Sequence, residues 1–122
     1  MNYNELSNEE LDKLSAENIC GYEWIDKLHV KNGDEYIVDG SMWSPTSPRL
    51  NQAERYLFPK LFNTAIDINI EQRADSFWIN INSGGDGKWD IEHSCCHEGI
   101  PKINRTKVIA CLEANEILKG GE

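Results

Sequence analysis

The segment from 65 to 96 constrains the fold more than any other. It holds three runs, AIDINIEQ, SFWININ and KWDIEHS, in which apolar residues occupy every second position. A strand sends alternate side chains to opposite faces, so a period of two marks strands with one face on a core. Ile66, Ile68 and Ile70 share a face of the first run, and Phe77, Ile79 and Ile81 share one of the second. In the third the inward set is Trp89, Ile91 and His93. SGGDG joins the second run to the third. It has the glycine content of a phosphate-binding loop, but such a loop needs a helix N-terminus behind it. Strands on both sides make it a hairpin turn, and the three runs a meander.

The remaining segments carry helical and turn signals. Ser7 followed by Glu10 is a capping box, ahead of Leu11, Leu14 and Ile19 at helical spacing and a stop at Gly21. This predicts a first helix over about 7–19. From Tyr22 to Trp43, YEWIDKLHV and EYIVDGSMW flank KNGD, and Asn-Gly between apolar alternations predicts a hairpin. The loop SPTSPR is pinned by its two prolines. Asn51 and Glu54 form a second cap-like pair before QAERYLFPKLF, where Pro59 kinks or restarts the helix. Pro101 and Asn104 announce a last helix, RTKVIACLEANEILK, with Val108, Cys111, Leu112, Ala114 and Leu118 on its inner side. The order helix, hairpin, helix, meander, helix predicts a single α+β domain over 1–122, an antiparallel sheet packed with about three helices.

Charge narrows the partners. Lys and Arg number 12 against 21 Asp and Glu, a net charge of -9, whereas binding a nucleic-acid polymer relies on cations neutralising successive phosphates. A small anion needs only two or three well-placed cations. No apolar run reaches membrane-spanning length, and the acidic N-terminus MNYNELSNEELDKL lacks the basic and apolar regions of a signal peptide. A cytoplasmic protein is expected.

HSCCH, from His93 to His97, gathers two imidazoles and two thiols in five residues. Strand alternation puts His93, Cys95 and His97 on one face and Cys96 on the other, so adjacent thiols do not easily reach one ion. Structural zinc sites draw ligand pairs from two separated segments, and no second pair stands at that spacing. A reactive thiolate needs positive surroundings, whereas Glu92 and Glu98 flank the cluster. The expectation is a strand end, with no metal and no cofactor. Cys20 and Cys111 fall on predicted helices among apolar residues, as small hydrophobes. G-x-S-x-G, Walker and H-E-x-x-H signatures are all absent, and no catalytic residue is expected.

Aromatic and cationic residues are the better candidates. Trp78 lies on the strand face opposite Phe77, Ile79 and Ile81, beside Asn80 and Asn82. It can pack under a helix or offer a plate for a base or a partner protein. Trp43 precedes the proline loop, which carries Arg49 just before a helix start. Arg105, Thr106 and Lys107 stand at the start of the last helix, where free amides and a guanidinium attract anions. A surface ion pair competes with that role for each cation.

The stretches MNYNELSNEELDKLSAENICGYEW, WSPTSPRLNQAERYL, FWININSGGDGKW and INRTKVIACLEANEIL together resemble small phage proteins of the ABA-sandwich and NinX-like type. Among them the chain looks like the first class of Thoeris anti-defence proteins. That resemblance implies a binding protein rather than an enzyme. It would sequester the cyclic ADP-ribose-type signal made by a TIR-domain defence protein, and some relatives also hold cyclic oligonucleotides. It further implies a homodimer or higher homo-oligomer with pockets between subunits. On that reading Arg105, with Thr106 and Lys107, holds phosphate, Trp78 or Phe77 stacks on the base, and Trp43 and Arg49 close the pocket. An acidic accessory protein that blocks a host protein is the alternative. HSCCH is not part of the resemblance.

Overall fold

Six consecutive residues of the last helix, Lys107 through Leu112, are buried. A helix turns 100° per residue, so six in a row cover its whole circumference. The helix is therefore an axis of the fold, and the one-sided inner face read from the sequence is too narrow. The computed structural model describes residues 2–37, 42–48, 50–62, 66–96 and 101–120, with the main chain alone at Asp86, Cys96 and Pro101. The axial helix, α3, spans Pro101–Lys119. It opens on a proline, whose missing N–H is no loss in a first turn.

One side of α3 rests on a three-stranded antiparallel sheet with order β4-β5-β6. These strands are β4 (Asp67–Gln72), β5 (Ser76–Asn82) and β6 (Asp90–Cys96). The register aligns Ile70, Ile79 and His93 across the sheet, and likewise Ile68, Ile81 and Ile91. Phe77, Ile79 and Ile81 of the central strand are buried. Each contributes about 1.5–3 kcal/mol relative to exposure, so truncating one of them opens a cavity under α3. Gly84 and Gly87 take positive φ in the turn between β5 and β6, the hairpin connection read from SGGDG.

The other side of α3 is covered by the first two helices. The first, α1 (Asn8–Leu14), starts at the predicted capping box. Glu10 N donates to Ser7 Oγ at 3.1 Å and Ser7 N donates to Glu10 Oε1 at 3.1 Å. It continues as a wider π-helical stretch, Ser15–Cys20, to Gly21 at φ 71°. In the second, a π-helical Ala53–Leu57 leads into α2 (Phe58–Phe62). Pro59 sits at the second residue of α2, so it restarts the helix instead of breaking it.

The predicted hairpin is a second three-stranded sheet: β1 (Glu23–Asp26), β2 (His29–Asn32) and β3 (Glu35–Tyr36). The run YEWIDKLHV is two strands, not one. Asp26 Oδ1 accepts from Leu28 N at 2.8 Å and from His29 Nδ1 at 2.8 Å, which turns the chain at Lys27 and Leu28. The Asn-Gly turn forms as read, with Gly33 at φ 65°. Residues 38–41 of the expected second arm lie outside the described residues. Two antiparallel sheets and three helices make the chain an α+β protein.

Candidate functional site

Lys102, Arg105 and Thr106, and Ile109 follow one another at helical spacing on α3, and this stripe faces the end of β6. With Asn4, Ser94 and Cys95 it encloses a cleft of about 470 Å³. The Arg105 guanidinium is fixed by the N-terminal segment. Its Nη1 donates to Asn8 Oδ1 at 2.6 Å, and its Nη2 to the carbonyls of Leu6 and Asn4 at 2.7 and 3.1 Å. Its charge stays at the cleft while most of its donors are spent. Thr106 Oγ1 donates to the carbonyl of Lys102 at 2.7 Å and keeps its lone pairs. Lys102 is exposed and, among the described residues, unpaired. It is the cation with donors left for an anion.

A second cleft, of about 330 Å³, is lined by Glu71, Arg73, Ser76, Phe77, Trp78 and Ser94. Trp78 stands half-buried on the sheet face away from α3, with Glu71 and Ser94 as its cross-strand neighbours. The two clefts share Ser94, with Trp78 on the sheet face away from α3 and the Lys102–Arg105 stripe on α3 itself. The asparagines beside Trp78 are occupied with one another. Asn80 is 7% exposed and donates to Asp90 and to the Ile91 carbonyl, while Asn82 Nδ2 donates to Asn80 Oδ1 at 2.7 Å.

Three other candidates face inward. Trp43 is fully buried, its rings packed on Tyr22 and Tyr56 and its Nε1 donating to the Asp12 carbonyl at 2.8 Å. Phe77 is buried beneath the Lys107 ammonium, 5.7 Å from the ring centroid. Lys107 Nζ donates to Glu54 Oε1 at 2.7 Å, which holds that carboxyl below its usual range. Neither Trp43 nor Lys107 lies at the two clefts. Arg49 and His97 lie outside the described residues.

His93 is part-buried on the α3 side of β6, aligned with Ile79, and its Nε2 pairs with Glu113 of α3. Nearby on the same helix, Glu116 Oε2 accepts from Tyr3 OH at 2.7 Å. Burial, and then Glu116, push the Tyr3 hydroxyl up. Among the described residues, no group of three or more His, Cys, Asp or Glu side chains is placed to hold a metal ion.

Sequence reasoning missed Lys102, Asn4 and Ser94, which become neighbours only when three distant segments meet. It also missed Asp12. This carboxylate is 5% exposed and accepts from Thr46 N at 3.0 Å and from the hydroxyls of Thr46 and Ser44 at 3.2 Å each. Burial raises it to about 6 against those hydrogen bonds. Nothing in a surface-looking EELDKL marks it as buried.

No protein-family model, curated protein or solved structure matches the chain. Among the described residues, no helix is long and apolar enough to cross a membrane.

Proposed function

We propose that the chain is a binding protein that holds a small phosphorylated nucleotide over the edge of β6 and returns it unchanged. Lys102 and Arg105 neutralise the phosphates, Thr106 and Asn4 orient them, and Trp78 stacks on the base across Ser94. The resemblance of the sequence narrows the ligand to a cyclic ADP-ribose-type signal. It would be sequestered in the host cytoplasm, in the manner of a phage anti-defence protein acting against a TIR-domain immune enzyme. The observation that supports the reading is the sharing of Ser94 between the cationic cleft and the Trp78 cleft. A net charge of -9 opposes long-range attraction of an anion, so affinity must come from contacts within the cleft.

Calorimetry with cyclic ADP-ribose isomers tests this. Binding at micromolar protein, lost in Lys102→Glu and Trp78→Ala, and recovery of intact ligand after heating are the expected results. Absence of heat with every isomer sinks the ligand, and recovery of a cleaved product sinks the sequestration. Lys102→Glu is a cleaner probe than Arg105→Ala, which also releases the N-terminal segment.

A second reading has its own observation. Asp67, Glu71, Asp90 and Glu92 are all exposed on the face of the sheet away from α3. That face suits the basic surface of a host protein, the alternative of an acidic blocking protein. Capture of one basic protein, salt-sensitive and lost on replacing Glu71 and Glu92 by Lys, would favour it.

A further inference from the structure

β4 is an edge strand guarded only by the charges of Asp67 and Glu71. Its six residues contain no Pro, Gly or Lys, and its register with β5 runs without a bulge. Among the described residues, no strand pairs with its other side. Arg73 N donates to Ser76 O at 2.8 Å, which makes Arg73 and Ser76 a hydrogen-bonded pair closing the turn to β5. Such pairs alternate along an antiparallel ladder. The main-chain groups of Asp67, Asn69 and Glu71 therefore point to β5, and those of Ile68, Ile70 and Gln72 point to the open edge.

A second copy can meet this edge antiparallel about a twofold axis, and charge together with strand length selects the register. With the axis at Asn69, Asp67 opposes the partner's Glu71 twice; with it at Glu71, two Glu71 carboxylates face each other. Like charges directly opposite are destabilising. An axis at Ile68 forms no ion pair, and one at Gln72 pairs Glu71 with the partner's Arg73 but carries Ile70 past the partner strand to its turn. An axis at Ile70 sets Asp67 against the partner's Arg73, whose guanidinium also meets Glu71 of its own chain, and Asn69 against the partner's Glu71, each twice. It also covers Ile70, which is 40% exposed, with the partner's Ile70.

We infer that β4 pairs with β4 of a second copy about an axis at Ile70, joining two three-stranded sheets into one of six strands. The seam runs beside the Trp78 cleft, because its rim residues Glu71 and Arg73 face the partner's Asn69 and the partner's Asp67. This surface stands on β4 alone and holds whether or not a nucleotide binds.

Sedimentation of the full chain over a micromolar concentration series tests it. A dimer is expected, and Ile70→Lys is expected to sediment as a monomer with unchanged circular dichroism. Asp67→Arg and Arg73→Asp should each weaken the dimer by about tenfold, since each turns two attractive pairs into repulsive ones. The double variant should recover dimerisation. These residues are exposed, so the charge variants test the register even if Ile70→Lys fails to fold. A monomeric wild type, a dimer indifferent to Ile70→Lys, or a double variant no better than the singles would each overturn the inference.

Discussion

Lys107 is 7% exposed, yet its ammonium meets a carboxylate, Glu54, whose side chain is 38% exposed. The pair is asymmetric: one partner is sealed between α3 and the 53–62 helix, and the other still touches water. Removing Glu54 strands a buried charge, whereas removing Lys107 frees a carboxylate to hydrate. Glu54→Ala should cost about 2–4 kcal/mol and Lys107→Met less than about 1 kcal/mol. Urea denaturation of the two variants checks this, and equal costs would contradict it.

Asp12 makes stability depend on pH. Burial lifts it from an ordinary 3.8 to about 6, so folding favours its protonated form. The contribution is fully present below pH 4 and is lost as pH rises through 6. The loss is on the order of 3 kcal/mol. Asp12→Asn lacks this titration. The stability of wild type minus that of Asp12→Asn should therefore fall between pH 4 and 7 by that order. A flat difference would show that Asp12 ionises freely in the fold.

Gly21 and Gly85 predict opposite outcomes for one substitution. An added Cβ meets nothing within 4 Å at either site, but only Gly21 holds a positive φ, 71°. Gly21→Ala should cost about 1 kcal/mol, from left-handed backbone strain at the helix end. Gly85→Ala should change stability by less than about 0.5 kcal/mol. Thermal melts of both variants decide.

The four cysteines should divide in two by reactivity. Burial pushes the Cys20 thiol up to about 12, and burial also raises Cys111. Thiolate is the reactive form, so both stay silent toward a thiol reagent at pH 8. At most two thiols should react rapidly in the native chain, with two more released by denaturant. A third fast thiol would mean that the core around α3 opens readily.

Local signals made much of this legible in advance. Ser7 with Glu10, Asn32 with Gly33, and the period of two through Phe77, Ile79 and Ile81 act over a few residues, and each forms what it announces. The turn at Asp26 was hidden because Trp24, Ile25 and Leu28 keep an apolar pattern across it, while a side-chain acceptor bends the chain. The burial of α3 was underread because Ala110, Asn104 and Lys107 do not look like core residues. They are buried through partners on other segments: the Ser47 and Leu50 carbonyls for Asn104, and Glu54 for Lys107. The candidate site divided the same way. Arg105, Thr106 and Trp78 reach the paired clefts, and Phe77 lines one of them from its buried place, whereas Trp43 and Lys107 were drawn inward by packing that no local window shows.

The placement of α3 bears on how the chain matures during synthesis. Its side chains tie down what was made long before: Asn104 holds the proline loop, Arg105 the first turns, and Asn115 with Lys119 the carbonyl of Asn18. Until α3 leaves the ribosome, the meander and the first two helices have no common surface to pack on. The nascent chain must carry Phe77, Ile79 and Ile81 uncovered while its acidic residues keep neighbouring chains apart. Covering these three side chains therefore waits on α3, whichever of the earlier elements forms first.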